Sequence, residues 1–420
     1  MKLKTLFILL TCTCFNIKAQ DLSNVRANID TLCGKDFFGR GATYNGVNKA
    51  ADFLTLKFKR LGLKSFNDSY SQNFAYNINT FPGDMQFQWG KKKFAPGIDF
   101  IVDASCPQST GVLKPLFIDT LLFFDAAFQK RFLKKSLLPY AIVYPAAWAK
   151  KVNELPKELQ EKLTEAGSKV IIQEKKLTST LSPTQHNRSG FELLRHSSYT
   201  FTGKIRFRVD ATLEQNFEAK NIIGYIEGKN KPDSFVVISA HYDHLGGMGK
   251  STYFPGANDN ASGCAMLLEL ASFYSRPENQ PSISIVFMLF AGEEAGLLGS
   301  RHYTENPLFP LTKIKFLVNL DLLGTGEEGM MVVNGAIYEK EFNHLLKINE
   351  EKKYLPAIKK RGAAANSDHY FFYKSGVPSF FFYTMGGISA YHDVLDKPET
   401  LPLTKFREVF GLIIDFVNGN

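Results

Sequence analysis

From about residue 219 to the end of the chain, continuous apolar runs alternate with segments of helical spacing. This alternation is the strongest constraint on the fold. Phe235–Ala240, Ser282–Phe290, Lys315–Leu320 and Ser379–Tyr383 read as strands, and Asn260–Ser275, Glu293–Tyr303, Phe342–Lys352 and Lys405–Val417 as helices. Strands that are apolar throughout, with no polar residue at every second position, are buried on both faces. The pattern therefore predicts a three-layer α/β/α sandwich with a mixed, largely parallel central sheet. Residues 46–62, GVNKAADFLTLKFKRLG, add an amphipathic helix with a Gly62 stop.

Residues 81–212 lack this alternation and carry short apolar runs, among them Val112–Phe124 and Tyr140–Tyr144. Within them, Glu158–Gln173 reads as a helix, a glycine stop and a strand. A chain of 420 residues, 44% hydrophobic, is longer than one core usually serves. We therefore expect 81–212 to be an inserted, mostly β domain in a discontinuous main domain of residues 21–80 and 213–420.

The first twenty residues, MKLKTLFILLTCTCFNIKAQ, have the charge and apolar run of a secretory signal peptide, cleaved near Ala19 or Gln20. The apolar run is too short to span a membrane, and the stretch before Cys12 is short for a lipoprotein box. The expected location is thus secreted or periplasmic, with no stable membrane span. Removing this segment lowers the formal charge from +9 to about +6. The Lys91–Lys93 and Lys359–Arg361 runs are short and read as solvated faces, so no nucleic-acid partner is expected. Cys33, Cys106 and Cys264 are too scattered for a cysteine-zinc site. A Cys33–Cys106 bridge is left open, and Cys264 reads as a small hydrophobe in a helix.

Ligands of open α/β sheets bind at the carboxyl ends of the strands. There the chain places AHYDHLG (His241, Asp243, His244), GANDNASG (Asp259), FAGEEAGLLGS (Glu293, Glu294), NLDLLG (Asp321) and ISAYHDVLD (Tyr391, His392, Asp393). Each residue alone has a structural use, such as a helix cap for Asp259 or Asp321. Together they put unpaired carboxylates at one edge with no Lys or Arg in the same motifs. Divalent cations resolve that conflict, and His with Asp or Glu is a zinc set. Five ligands, one of them shared, suit two ions roughly 3.5–4 Å apart. Of two adjacent glutamates, one can then be a ligand and the other a general base.

These motifs resemble the bacterial leucyl-aminopeptidase-like zinc exopeptidases with two co-catalytic metals. The resemblance covers Asn221 to the C-terminus and, more weakly, residues 32–75, and includes SDHYFF before the last strand. It implies that His241 and Asp321 belong one to each zinc, as do Glu294 and His392, and that Asp259 bridges the two. Glu293 would be the base, Tyr391 an oxyanion donor, and Asp243 the group orienting His241. His244, Asp368 and His369 would shape loops, and Asp259–Asn260 matches a site of non-proline cis peptides. The insertion looks like a protease-associated domain.

The implied activity is release of N-terminal residues from peptides by zinc-bound hydroxide, with Glu293 passing the proton to the leaving amine. A glutaminyl cyclase with one zinc shares the fold, but its relatives tend to carry Trp where Tyr391 stands. A carboxypeptidase would need an arginine cluster that the motifs lack. A non-catalytic receptor-like ectodomain would have lost ligands, and none is missing. Peptides are the expected partners. The pocket would be lined by Phe371–Phe372 and Phe380–Tyr383 or else these runs are core.

Overall fold

The computed structural model describes residues 22–66, 68–196 and 201–419; the signal-type segment of residues 1–20 lies outside them. The main sheet has eight strands: β1 (Ser71–Thr80), β2 (Thr212–Ile226), β3 (Lys231–His241), β4 (Ile283–Phe290), β5 (Ile314–Leu320), β6 (Gly329–Val333), β7 (Ile358–Lys360) and β8 (Ser379–Met385). Their spatial order is β1-β2-β4-β3-β5-β8-β6-β7. The central pairs β3/β4, β3/β5 and β5/β8 are parallel, so four carboxyl ends share one edge. β1 and β2 are antiparallel, and Thr80 pairs with Thr212.

The helices around this sheet are α1 (Leu22–Leu32), α2 (Gly46–Arg60), α3 (Gly263–Tyr274), α4 (Leu298–Glu305), α5 (Glu339–Lys352), α6 (His369–Lys374) and α7 (Phe406–Gly419). In α2 the buried positions Val47, Ala50, Ala51, Leu54 and Phe58 follow helical spacing and form the stripe that meets the sheet. α3 and α7 cover the same face around Leu267, Val318, Phe380 and Phe416. Tyr303 and Phe372, from α4 and α6, pack on the opposite face with Val237, Val286 and Phe290. The result is the expected three-layer α/β/α arrangement.

Residues 85–209 build a second eight-stranded sheet. It differs from the sequence expectation in having its own strand–helix alternation. Ser109–Phe117, Tyr140–Pro145, Ser168–Gln173 and Ser189–Leu194 run parallel, with helices at Ala126–Leu133 and Lys157–Thr164 in the crossovers. Three of these strands are only six residues long and Ser109–Phe117 has no buried residue, which conceals the period. Its apolar core is continuous with Leu245, Met248, Phe254 and Val394 of the main sheet's loops.

Cys33 and Cys106 are both free and lie in different cores, which excludes the bridge left open above. Cys264 is buried, as a small hydrophobe should be, and its thiol donates to the His241 carbonyl at 3.2 Å.

One buried charge holds the N-terminal segment to the site loops. Arg40 is fully buried and donates to the carbonyls of Tyr242 (2.8 Å), Leu32 (3.0 Å), Pro255 (2.7 Å), Gly256 (2.8 Å) and Asp259 (3.3 Å). Arginine's rigid donor fork suits this divergent set. Arg40→Met would strand several buried carbonyls, each costly to leave unpaired. We expect unfolding free energy to drop by on the order of 3 kcal/mol or more, read from urea denaturation. A loss within about 0.5 kcal/mol, typical of a surface site, would contradict this.

Candidate metal centre

His241 ends β3, Asp321 directly follows β5, and Glu293 and Glu294 follow β4. Asp259 lies in the 257–262 turn before α3, and His392 in the loop between β8 and α7. His241 Nε2 is 3.3 Å from Asp259 Oδ1 and 3.4 Å from Asp321 Oδ1. His392 Nε2 is 3.1 Å from Asp259 Oδ2 and 3.1 Å from Glu294 Oε2. The groups thus sort into His241 with Asp321, and His392 with Glu294. This differs from the pairing implied by the resemblance, which split each of these couples. β3 borders both β4 and β5, so the direction in which the side chains turn, and not strand order alone, sets this sorting.

Each imidazole nitrogen faces two carboxylates, and one N–H cannot satisfy both. Asp321 Oδ1 is buried without a hydrogen-bond partner. Four ligands about 2.0–2.1 Å from one ion stand about 3.3 Å apart from each other, close to the spacings found here. The donor set therefore fits borderline divalent ions.

A third imidazole competes for the second set. His244, Asp259 and Glu294 also lie within metal-binding reach of one another. But His244 Nδ1 is only 2.6 Å from Glu294 Oε1, which is a hydrogen-bond length and too short for two ligands of one ion. His244 thus steers Glu294, a closer role than the loop shaping expected of it.

The loop GANDNASG is laced to the end of β5. Asn260 Nδ2 donates to the Leu320 carbonyl (2.9 Å), the Gly324 amide to Asn258 Oδ1 (2.8 Å) and the Leu323 amide to Ser262 Oγ (2.8 Å). Asp396 accepts from the Asn258 (2.8 Å) and Asp259 (3.0 Å) amides. Gly256 has φ 61°, and a Cβ there would lie 2.2 Å from the Asp259 carbonyl oxygen. The Asp259–Asn260 peptide is cis. Neither Arg40 nor Asp396 was visible as a site residue in the sequence, because both act through main-chain groups far along the chain.

Asp243 does not hold His241 with its carboxylate. The His241 Nδ1 contact is the Asp243 carbonyl at 3.2 Å, with the carboxylate 3.8 Å away. The carboxylate instead accepts the Glu293 and Glu294 amides at 3.2 and 3.3 Å and so fixes the glutamate turn. That turn is not helical. The helix expected from Glu293 begins at Leu298, after Leu297 at φ 60°.

Among the described residues, no histidine nitrogen lies within 4.0 Å of the Glu293 carboxylate, whereas Glu294 meets two imidazoles. Burial pushes Glu293 well above the usual carboxylate range, and Glu294, Asp368 and Asp321 add to the shift. Glu294 is opposed by burial and Asp259 but held at about 2 by His244 and His392. Burial raises Asp368 to about 7 and lowers the adjacent His369 to about 4.

The cleft above these groups has a volume of about 180 Å³ and is lined by His241, Asp259, Glu293, Asp321 and His392, with Leu322, Arg361, Asn366, Phe381, Tyr383 and Tyr391. Phe372, Phe380 and Phe382 are instead core residues. Tyr391 stacks on His392 with ring centroids 4.0 Å apart.

The second sheet reaches this centre through the segment after Ser168–Gln173. His392 Nδ1 is 3.0 Å from the Ser179 carbonyl, and the Ser179 amide donates to the His392 carbonyl at 2.9 Å. Lys176 Nζ donates to the carbonyls of Ser389 (3.3 Å) and Tyr391 (3.2 Å). The two metal-type clusters among the described residues contain no residue of 81–212.

Fold and cleft together describe an α/β/α domain with a candidate metal centre, and comparison adds what it is similar to. Residues 221–417 match Peptidase family M28. It is 37% identical over 115 residues to aminopeptidase YwaD of Bacillus subtilis, covering 27% of this chain and 24% of the relative. It is 31% identical over 223 residues to a probable leucine aminopeptidase of Arthroderma otae, covering 51% and 61%. The chain thus spans less than two thirds of the curated relatives it matches. A solved zinc aminopeptidase from Bacillus subtilis superposes with TM-score 0.70 at 19% identity, covering 95% of this chain and 94% of that one. A peptidase M28 precursor from Shewanella amazonensis gives 0.68 at 16%, covering 96% and 93%. At such identities the likeness concerns the fold.

Proposed function

We propose that the protein is a zinc aminopeptidase acting on peptides, exported through residues 1–20 and holding two zinc ions per chain. The observation that carries this reading is the Asp259 carboxylate, which turns one oxygen to His241 and the other to His392. His241 and Asp321 would hold one ion, His392 and Glu294 the other, and Asp259 both. When bound, the ions supply Lewis acidity to the scissile carbonyl and make water a stronger acid.

The remaining work falls to the chain. Glu293, buried and kept out of the ligand set, takes a proton from the attacking water and returns it to the leaving amine. Asp243 holds its turn in place. Tyr391 lines the cleft, and burial raises its hydroxyl above the usual range, with Asp259 and Glu294 adding to the effect. A tyrosine hydroxyl is ordinarily protonated at neutral pH and can donate to a developing oxyanion.

Chelation should abolish hydrolysis of aminoacyl anilides, zinc should restore it, and metal analysis should approach two ions per chain. A metal-free preparation with full activity would refute the reading. One ion per chain with cyclising activity would favour the glutaminyl cyclase alternative.

A further inference from the structure

We infer that the cleft selects substrates carrying a carboxylate beside the scissile bond, bound by Arg361; this rests on the aminopeptidase reading above. The run Lys359–Arg361 looks in sequence like a solvated face, and its members in fact part company. Lys360 pairs with Glu339 at 2.8 Å outside the cleft. Arg361 lines the cleft beside Glu293 and Asp321.

Its main chain is fixed on both sides, the amide donating to the Val332 carbonyl (2.9 Å) and the carbonyl accepting from Ala336 (3.1 Å). Its Nη1 donates to the Tyr383 hydroxyl at 3.1 Å, and Tyr383 lines the same cleft. No carboxylate among the described residues lies within ion-pairing distance of the guanidinium. A guanidinium has five donors in a planar fork that matches a carboxylate, and one tyrosine uses only one of them.

The neighbourhood favours an anion once metal is bound. The three ligand carboxylates and Glu293 would balance two divalent ions, leaving Arg361 as the uncompensated charge in the cleft. Asn366, Tyr383 and Tyr391 add polar donors, while Leu322 and Phe381 supply the apolar wall.

The carboxylate has two sources, an acidic N-terminal side chain or the α-carboxylate of a dipeptide. Both are tested on the zinc-loaded full chain. The first arm compares Glu- and Asp-anilides with Leu-anilide, and the second compares Leu-Gly with Leu-Gly-amide. Binding of L-glutamate and L-leucine is followed in parallel by calorimetry. Arg361→Ala should lower one carboxylate-to-neutral ratio of kcat/KM by about 10–100-fold, the worth of a charge-assisted hydrogen bond. Arg361→Lys should keep part of it. Ratios unchanged within about twofold in both arms, with Leu-anilide still cleaved, would overturn the inference alone. Loss of every activity in the wild-type zinc enzyme would overturn the aminopeptidase reading with it.

Discussion

Glu293→Gln is expected to lower turnover by about 10²–10⁴-fold while both metals stay bound. The substitution keeps size and hydrogen bonding and removes the proton acceptor. Glu294→Gln is expected to behave differently, although it is the next residue. Glu294 meets His392 at 3.1 Å and His244 at 2.6 Å, whereas Glu293 meets no histidine nitrogen within 4.0 Å among the described residues. Losing the Glu294 charge should weaken one metal, and raising zinc should restore part of the rate. A zinc titration of rate and bound metal in both variants separates the two roles. Rescue of the Glu293 variant and not of the Glu294 variant would reverse the assignment. Unchanged turnover in both would remove the general-base mechanism altogether.

Excising the second sheet is expected to cost metal as well as substrate preference. Thr80 and Thr212 face each other in the ladder, so an Asn-Gly turn can close β1 to β2 in place of residues 81–211. The sequence alone suggests that such trimming would change preference among long peptides more than rates on small amides. The geometry predicts a larger effect. His392 would lose the Ser179 carbonyl that fixes its Nδ1, and Leu245, Met248, Phe254 and Val394 would lose their cover. Removing the partner of a metal-bound histidine typically costs about 10–100-fold in metal affinity. Zinc on the His392 side should therefore weaken by about that factor, and small-amide rates should fall with it. Lys176→Ala, which cuts the anchors to Ser389 and Tyr391 and the ion pair with Asp393 at 3.9 Å, should give a milder loss in the same direction. Wild-type zinc affinity in both variants would show that His392 is held without the segment.

Much of the fold was legible because burial dictates pattern. The buried stretches of β3, β4, β5 and β8 are mostly apolar since helices cover both faces, and that pattern survives in the sequence. The second sheet was harder to read. Its parallel run begins with Ser109–Phe117, which has no buried residue, and the crossover at Ala126–Leu133 did not stand out, whereas the helix at Lys157–Thr164 and the strand after it were legible. The glutamate helix was misread for a local reason. Glu293–Leu297 has helix-forming composition, but Asp243 takes the turn's amides and Leu297 adopts φ 60°.

The sequence by itself determined which residues reach the cleft, because a strand's end and the residues just past it are fixed once its apolar run is known. His241, Glu293, Glu294 and Asp321 lie at or within a few residues of a strand end, whereas Asp259, Tyr391 and His392 reach the centre from loops farther along the chain. Only the tertiary structure decided which of them stand together. His241 stands with Asp321 across the β3/β5 pair although β3 also borders β4, and both strand order and side-chain placement are properties of the assembled sheet. The same holds for Arg40, Asp396, Ser179 and Arg361. Each contributes a contact spanning tens to hundreds of residues, made through main-chain groups or a single fork of donors. No local pattern encodes such a contact, because it exists only after the layers have packed.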